Sequence, residues 1–255
     1  MVTEAAGHEG GSILNLEEPT QMAWKRMLPN ALTLTRVALA VVFFAMLHFW
    51  RFDLTRTSSM YPSGRGVDGW LLGAAGGFVL AAITDALDGH LARTWRVVSL
   101  FGRVMDPFAD KLLVIGAFVF LAGPSFAVVD TQGRMMQVSG VESWMAVVIL
   151  GRELLITSLR GVFESAGVSF AASPSGKWKM ILQSVCVPLI MVLIACTQTI
   201  QALPDGGGPV LFARTTTGQV VVWVVWATVV ATAWSGLPYV LRGIRESGKL
   251  RGMKA

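Results

Sequence analysis

Charge is scarce in this sequence. Asp, Glu, Lys and Arg make up 15% of its 255 residues, against 53% hydrophobic, and the mean hydropathy is +0.59. Soluble globular domains carry about 25% charged residues, so the shortfall excludes an ordinary soluble protein and predicts a multispanning membrane protein. Cysteine is scarcer still, with Cys186 and Cys196 ten positions apart in one apolar run. A helix holds such positions about 15 Å apart along its axis, which excludes a disulfide between them, and nothing indicates a secreted protein. The N-terminus lacks a basic segment leading into an apolar stretch, carrying Glu4 and Glu9 instead, so no cleavable signal peptide is expected. Clustering of basic residues is absent too. A net charge of +5 and a pI near 9.6 arise from residues scattered at the ends of apolar runs, which excludes a nucleic-acid patch and fits membrane orientation and an anionic lipid or substrate. No internal repeat is visible, and the inverted symmetry of many transporters is missing.

What is present is a series of apolar runs of membrane-spanning length. An arm of residues 1–27 ends in a weakly amphipathic stretch, 13–27, that suits a helix on the membrane surface. Spans are expected at about 29–50, 69–92, 106–121, 141–164, 177–200 and 219–241, giving an all-α integral membrane domain of six transmembrane helices over 28–243. A basic tail, 244–255, follows, with Lys249, Arg251 and Lys254. An even number of spans puts both ends on one side, and the basic tail with the basic connection 94–102 puts that side in the cytoplasm. Arg51, Arg56 and Arg65 in the first loop argue mildly the other way.

The scarce charge concentrates in one stretch, 84–111, which reads TDALDGHLARTWRVVSLFGRVMDPFADK. Asp85 and Asp88 are three residues apart and Asp106 and Asp110 four apart, so each pair shares a helix face, one turn between its members. Four carboxylates converging without counterions repel one another, and divalent cations resolve the conflict. Oxygen donors suit magnesium or manganese, and with no cysteine and a single histidine, His90, in the stretch zinc is a poor fit. Two such ions bridged by carboxylates are suited to in-line displacement at phosphorus. Gly89 and Ala92 clear room beside the first pair, and Gly102 permits close backbone approach. A blander reading has Asp106 capping a helix that starts at Pro107, with Asp110 and Lys111 as interfacial charges; it leaves the other two aspartates unexplained.

The pattern D-x2-D-G-x2-A-R-x8-G-x3-D-x3-D, filled by Asp85, Asp88, Gly89, Ala92, Arg93, Gly102, Asp106 and Asp110 without a departure, resembles the signature of the CDP-alcohol phosphatidyltransferase family. The resemblance implies a six-helix, usually dimeric membrane enzyme that transfers a phosphatidyl group from a CDP-linked lipid to an alcohol and releases CMP. It implies that Asp85, Asp88 and Asp106 hold two Mg2+ or Mn2+ ions, with Asp110 sharing that site and serving as the base. Gly89, Ala92, Arg93 and Gly102 would line the cytidine diphosphate pocket. Direct attack of the alcohol is expected, with no phosphatidyl-enzyme intermediate.

The acceptor is read from elsewhere. PNALTLTR in the first span and GRELLITSLRGVFESAGVSFAASPSGKWKM across the fourth and fifth resemble the branch that makes phosphatidylglycerol phosphate from CDP-diacylglycerol and sn-glycerol 3-phosphate. Arg152, Arg160 and Lys177 match that branch's phosphate-facing positions, with Arg36 a weaker candidate. A phosphorylated small alcohol fits these cations, because arginine grips a phosphate with two hydrogen bonds and lysine adds a point charge. Lys179 reads as a charge flanking the fifth span, and Glu153 as the partner of a neighbouring arginine. Inositol phosphate, serine or phosphatidylglycerol as acceptor are alternatives with the same chemistry, and a cation transporter is an alternative of another class. The expected setting is the cell's inner, cytoplasmic membrane, with the active site facing the cytoplasm.

Overall fold

The computed structural model describes residues 19–51, 67–95, 100–129, 135–165, 174–197 and 216–252, with side chains described except at 19–30, 86, 88–95, 100–104, 106–107, 129, 174–177, 197 and 246–252. Six helices occur among the described residues: α1 Pro19–Phe49, α2 Gly69–Trp95, α3 Leu100–Leu121, α4 Ser143–Ser165, α5 Pro174–Thr197 and α6 Thr216–Gly252. Each expected span has its helix.

The boundaries differ in instructive ways. Helix α1 runs through Pro29 without a break, so the described part of the expected surface helix and the first span are one element. Helix α3 begins at Leu100, two turns before Pro107, and Asp106 therefore does not cap it. An interior proline forfeits the bond its own N–H would have made, here to the Arg103 carbonyl, and crowds that carbonyl with its ring; the helix nonetheless continues on both sides of it.

Helix faces follow from spacing. Helix α1 buries Thr33, Arg36, Ala40, Phe43 and Leu47, alternating steps of three and four along one stripe. Its other face is also apolar, with Val41, Val42 and Phe49 exposed, and α6 exposes Trp223, Val230 and Trp234. Helices apolar on both faces belong in lipid rather than water. Three are long and apolar enough to cross a membrane by length and composition, over Ala31–Phe49, Trp178–Cys196 and Thr216–Arg245, and a shorter apolar stretch covers Gly69–Asp85. Helix α4 falls short because its sequence admits Arg152, Glu153 and Arg160.

The helices close into a ring: α1 packs on α2 and α3, α2 on α5, α5 on α6, α6 on α4, and α4 on α3, with α3 also meeting α5 inside. The core joins Phe43, Phe78, Phe118, Ile149 and Ile190. At Gly116 any side chain would run into the Phe44 ring, so that glycine permits the close approach of α1 and α3.

The described part of the connection between α3 and α4 forms regular structure. A 3-10 turn, Pro124–Phe126, leads into an antiparallel pair, β1 Ala127–Val129 and β2 Met135–Gln137, a small departure from an all-α fold. Its cause is the end of α3, whose last carbonyls need donors. Ser139 Oγ donates to the Leu121 carbonyl at 2.6 Å and Gln137 Nε2 to that of Ala122 at 3.1 Å. At this same end Asp68 caps α2, accepting from the backbone N–H groups of Trp70 and Leu71, and its other oxygen accepts from Trp50 Nε1 at 2.7 Å. The aspartates lie at the opposite end.

Candidate active site

Alternating helix directions bring the first half of α1, the last turns of α2 and the first half of α3 and α5 to one end of the bundle. A cavity of about 260 Å3 opens there, lined by Arg36 of α1, Asp85 of α2, Asp110 and Leu113 of α3, and Met180 and Ser184 of α5. Asp85 and Asp110, 25 residues apart in sequence, thus face one space. Arg36 Nη1 lies 2.6 Å from Asp85 Oδ1; the arginine side chain is 1% exposed and the aspartate 38%. One oxygen of Asp85 is therefore held from within the bundle while the carboxylate stays open to the cavity. Arg36, the weaker candidate for the acceptor phosphate, thus stands beside the aspartates on the cavity wall.

Asp88 follows Asp85 by one turn on α2, and Asp106 precedes Asp110 by one turn on α3. Their side chains lie outside the described residues, as do those of Ala92 and Arg93 in the last turns of α2 and of Lys177 in the first turn of α5. Gly89 and Gly102 are placed only as backbone, on α2 and α3. Among the described residues no three His, Cys, Asp or Glu side chains come together. The donor set nonetheless fits a hard divalent cation: two carboxylates from facing helices line one cavity, and the register adds one more on each helix, all of them oxygen donors.

The cations form a second group. Helix α4 carries Arg152 and Arg160 two turns apart, and the Nε atoms of both are buried without a hydrogen-bond partner among the described residues. Arg152 Nη1 reaches Glu153 Oε1 at 3.1 Å, as expected of a glutamate beside an arginine. The same oxygen also holds the Lys179 ammonium of α5. Lys179 is 6% exposed, so it is no flanking charge at the lipid surface, and it lies within electrostatic reach of Asp110. The signal for it was its place four residues before Gln183 and seven before Cys186, on the inward stripe of α5. Ser184, which contributes a hydroxyl to the cavity wall, carried no such signal.

The family model described as CDP-alcohol phosphatidyltransferase matches residues 26–234. Over 165 residues the chain is 33% identical to a CDP-diacylglycerol--glycerol-3-phosphate 3-phosphatidyltransferase of Bacillus subtilis, covering 65% of this chain and 76% of that protein. A probable phosphatidylglycerophosphate synthase of Mycobacterium tuberculosis is 30% identical over 224 residues, 88% of this chain and 85% of the relative. A CDP-diacylglycerol--glycerol-3-phosphate 3-phosphatidyltransferase 2 of Arabidopsis thaliana is 31% identical over 188 residues, 69% of each chain. With aspartates on two facing helices around one cavity and a family match spanning all but the ends of the sequence, this chain belongs to the CDP-alcohol phosphatidyltransferase family.

Proposed function

We propose that this protein transfers the phosphatidyl group of CDP-diacylglycerol to sn-glycerol 3-phosphate, forming phosphatidylglycerol phosphate and CMP. The observation that carries the reading is the convergence of Asp85 and Asp110 on one cavity with a buried cationic group, Lys179 and Arg152, on the neighbouring helices. The printed names of the relatives supply the acceptor.

Asp85, Asp88, Asp106 and Asp110 are assigned to hold two Mg2+ or Mn2+ ions. When bound, these ions neutralise the diphosphate and the charge of the departing CMP. Asp110 accepts the proton of the acceptor hydroxyl, whose oxygen forms a bond to the phosphatidyl phosphorus while that phosphorus loses its bond to the bridging oxygen of CMP. Gly89, Ala92, Arg93 and Gly102 are assigned to the cytidine diphosphate, the small residues leaving space and the arginine adding charge. Arg152, Arg160 and Lys177 are assigned to the phosphate of the acceptor. Arg36 orients Asp85 from behind.

We further assign six membrane spans within 28–243, preceded by an arm at 1–27 and followed by a cytoplasmic tail at 244–255, in an inner membrane with the aspartate end facing the cytoplasm. The polar and charged residues at that end and the basic tail support this orientation. A homodimer is the assembly the family resemblance implies.

The test is CMP release from CDP-diacylglycerol and glycerol 3-phosphate by the purified protein in detergent. Asp106→Ala removes one assigned ligand and is expected to reduce release to background; undiminished release by that variant contradicts the assignment.

A further inference from the structure

Glu153 accepts two cations on one oxygen. Arg152 reaches it from the same helix and Lys179 from α5, and all three side chains are nearly excluded from solvent, at 11% exposure for Arg152 and Glu153 and 7% for Lys179. Two buried cations against one carboxylate leave a surplus positive charge in a low-dielectric bundle, which is costly unless an anion completes the balance.

The surroundings hold the cluster in place. Arg152 packs over Gly236 of α6, where a β-carbon would meet its Cγ at 3.3 Å. Gln183, one turn beyond Lys179, donates to Thr232 Oγ1 of α6 at 3.1 Å. Helices α4, α5 and α6 therefore fix three charges whose ion pairs, among the described residues, leave one positive charge over. Lys179 also lies within electrostatic reach of Asp110, and Met180, next to it in sequence, lines the aspartate cavity. In glycerol 3-phosphate the reacting hydroxyl and the phosphate sit on opposite ends of three carbons, so the phosphate must rest close to the base that takes the proton.

We infer that Lys179 is a further acceptor-phosphate residue and that Glu153 is a positioning residue, holding the Lys179 ammonium and the Arg152 guanidinium at the spacing that receives the phosphate of glycerol 3-phosphate. The inference rests on the acceptor assigned above. Glu153 touches no substrate; its effect passes through the two cations.

Steady-state kinetics in detergent, with each substrate varied, tests it. Lys179→Met is expected to raise KM for glycerol 3-phosphate by about ten- to a hundredfold, the scale of one charge-assisted hydrogen bond, with KM for CDP-diacylglycerol nearly unmoved. Glu153→Gln is expected to give the same split, Glu153→Asp to recover part of the loss, and the double variant Glu153→Gln/Lys179→Met to lose less than the product of the two single losses, since Glu153 still positions Arg152 when Lys179 is gone. Equal rises in both KM values, additive losses, or an unchanged glycerol 3-phosphate KM in Lys179→Met overturn the inference. Should Glu153→Gln lose its monodisperse elution in detergent, Lys179→Met and Glu153→Asp decide the matter by the same criteria. A wild-type protein that uses a different alcohol overturns the acceptor assignment and this inference together; one that uses glycerol 3-phosphate while Lys179→Met is unaffected overturns this inference alone.

Discussion

Replacing Asp110 by Asn lowers CMP release at saturating substrates by about a hundred- to ten-thousandfold, the contribution of a positioned general base. The amide keeps the size and shape of the carboxylate, so packing beside Ala109 and Leu113, both buried, is undisturbed. What it loses is the ability to accept a proton from an attacking hydroxyl. Asp110 stands on the cavity wall with Asp85, and Asp85, Lys111, Lys179 and Arg36 all act on it electrostatically. A side chain so placed between the carboxylate and cation groups is suited to a hydroxyl whose molecule ends in a phosphate. Because Asp110 is also assigned to the cation site, the loss falls toward the large end of that range, and Asp110→Glu, which restores the charge but not the reach, recovers only part of it. Stopped-time measurement of CMP release checks this, and a variant within tenfold of the parent removes Asp110 from the role of base.

Chelation has an effect of comparable size. Treatment with EDTA is expected to bring CMP release to background, and added Mg2+ or Mn2+ to restore it. The reason lies in the donors: carboxylates gathered at one end of an apolar bundle repel one another unless cations share them, and Arg36 meets Asp85 with a single positive charge. Calcium prefers six to eight ligands in a larger shell and restores little. A second readout is independent of turnover. Ions that bind the folded protein raise its melting temperature by mass action, so Mg2+ added to the EDTA-treated protein in detergent shifts the transition upward, and the Asp85→Asn/Asp106→Asn double variant shows a smaller shift. Full activity in excess chelator contradicts the assignment of the aspartates.

The helices and the aspartates were legible because a lipid setting makes both signals strong. Runs of apolar residues have to be helical where no water can satisfy the backbone, and an aspartate in such a run stands out. The helix ends were less legible. Pro29 and Pro107 read as helix starts, yet each lies inside a helix, since one missing hydrogen bond is outweighed by the turns on either side. The strands β1 and β2 had no signal as a pair: three residues each, AVV and MMQ, they are ordered by the need to cover the end of α3. Side-chain partners were the least legible. The Glu153–Arg152 contact joins neighbours and follows from adjacency, whereas Arg36–Asp85 spans 49 residues and Glu153–Lys179 spans 26, and only the ring of helices brings those together. Lys179 illustrates the ambiguity, because a lysine near the start of a span reads as a flanking charge until the neighbouring helix is seen to cover it.

The central claim is the bond that is made and the alcohol that receives it. The direct measurement is a side-by-side assay of the purified, Mg2+-loaded protein with CDP-diacylglycerol and, in turn, glycerol 3-phosphate, inositol phosphate, serine and phosphatidylglycerol, following CMP and the lipid product together. CMP release matched by phosphatidylglycerol phosphate, with glycerol 3-phosphate alone as the effective acceptor, is the predicted result. Preferred turnover of any of the other three contradicts the acceptor assignment, and no CMP release with any of the four contradicts the transferase itself.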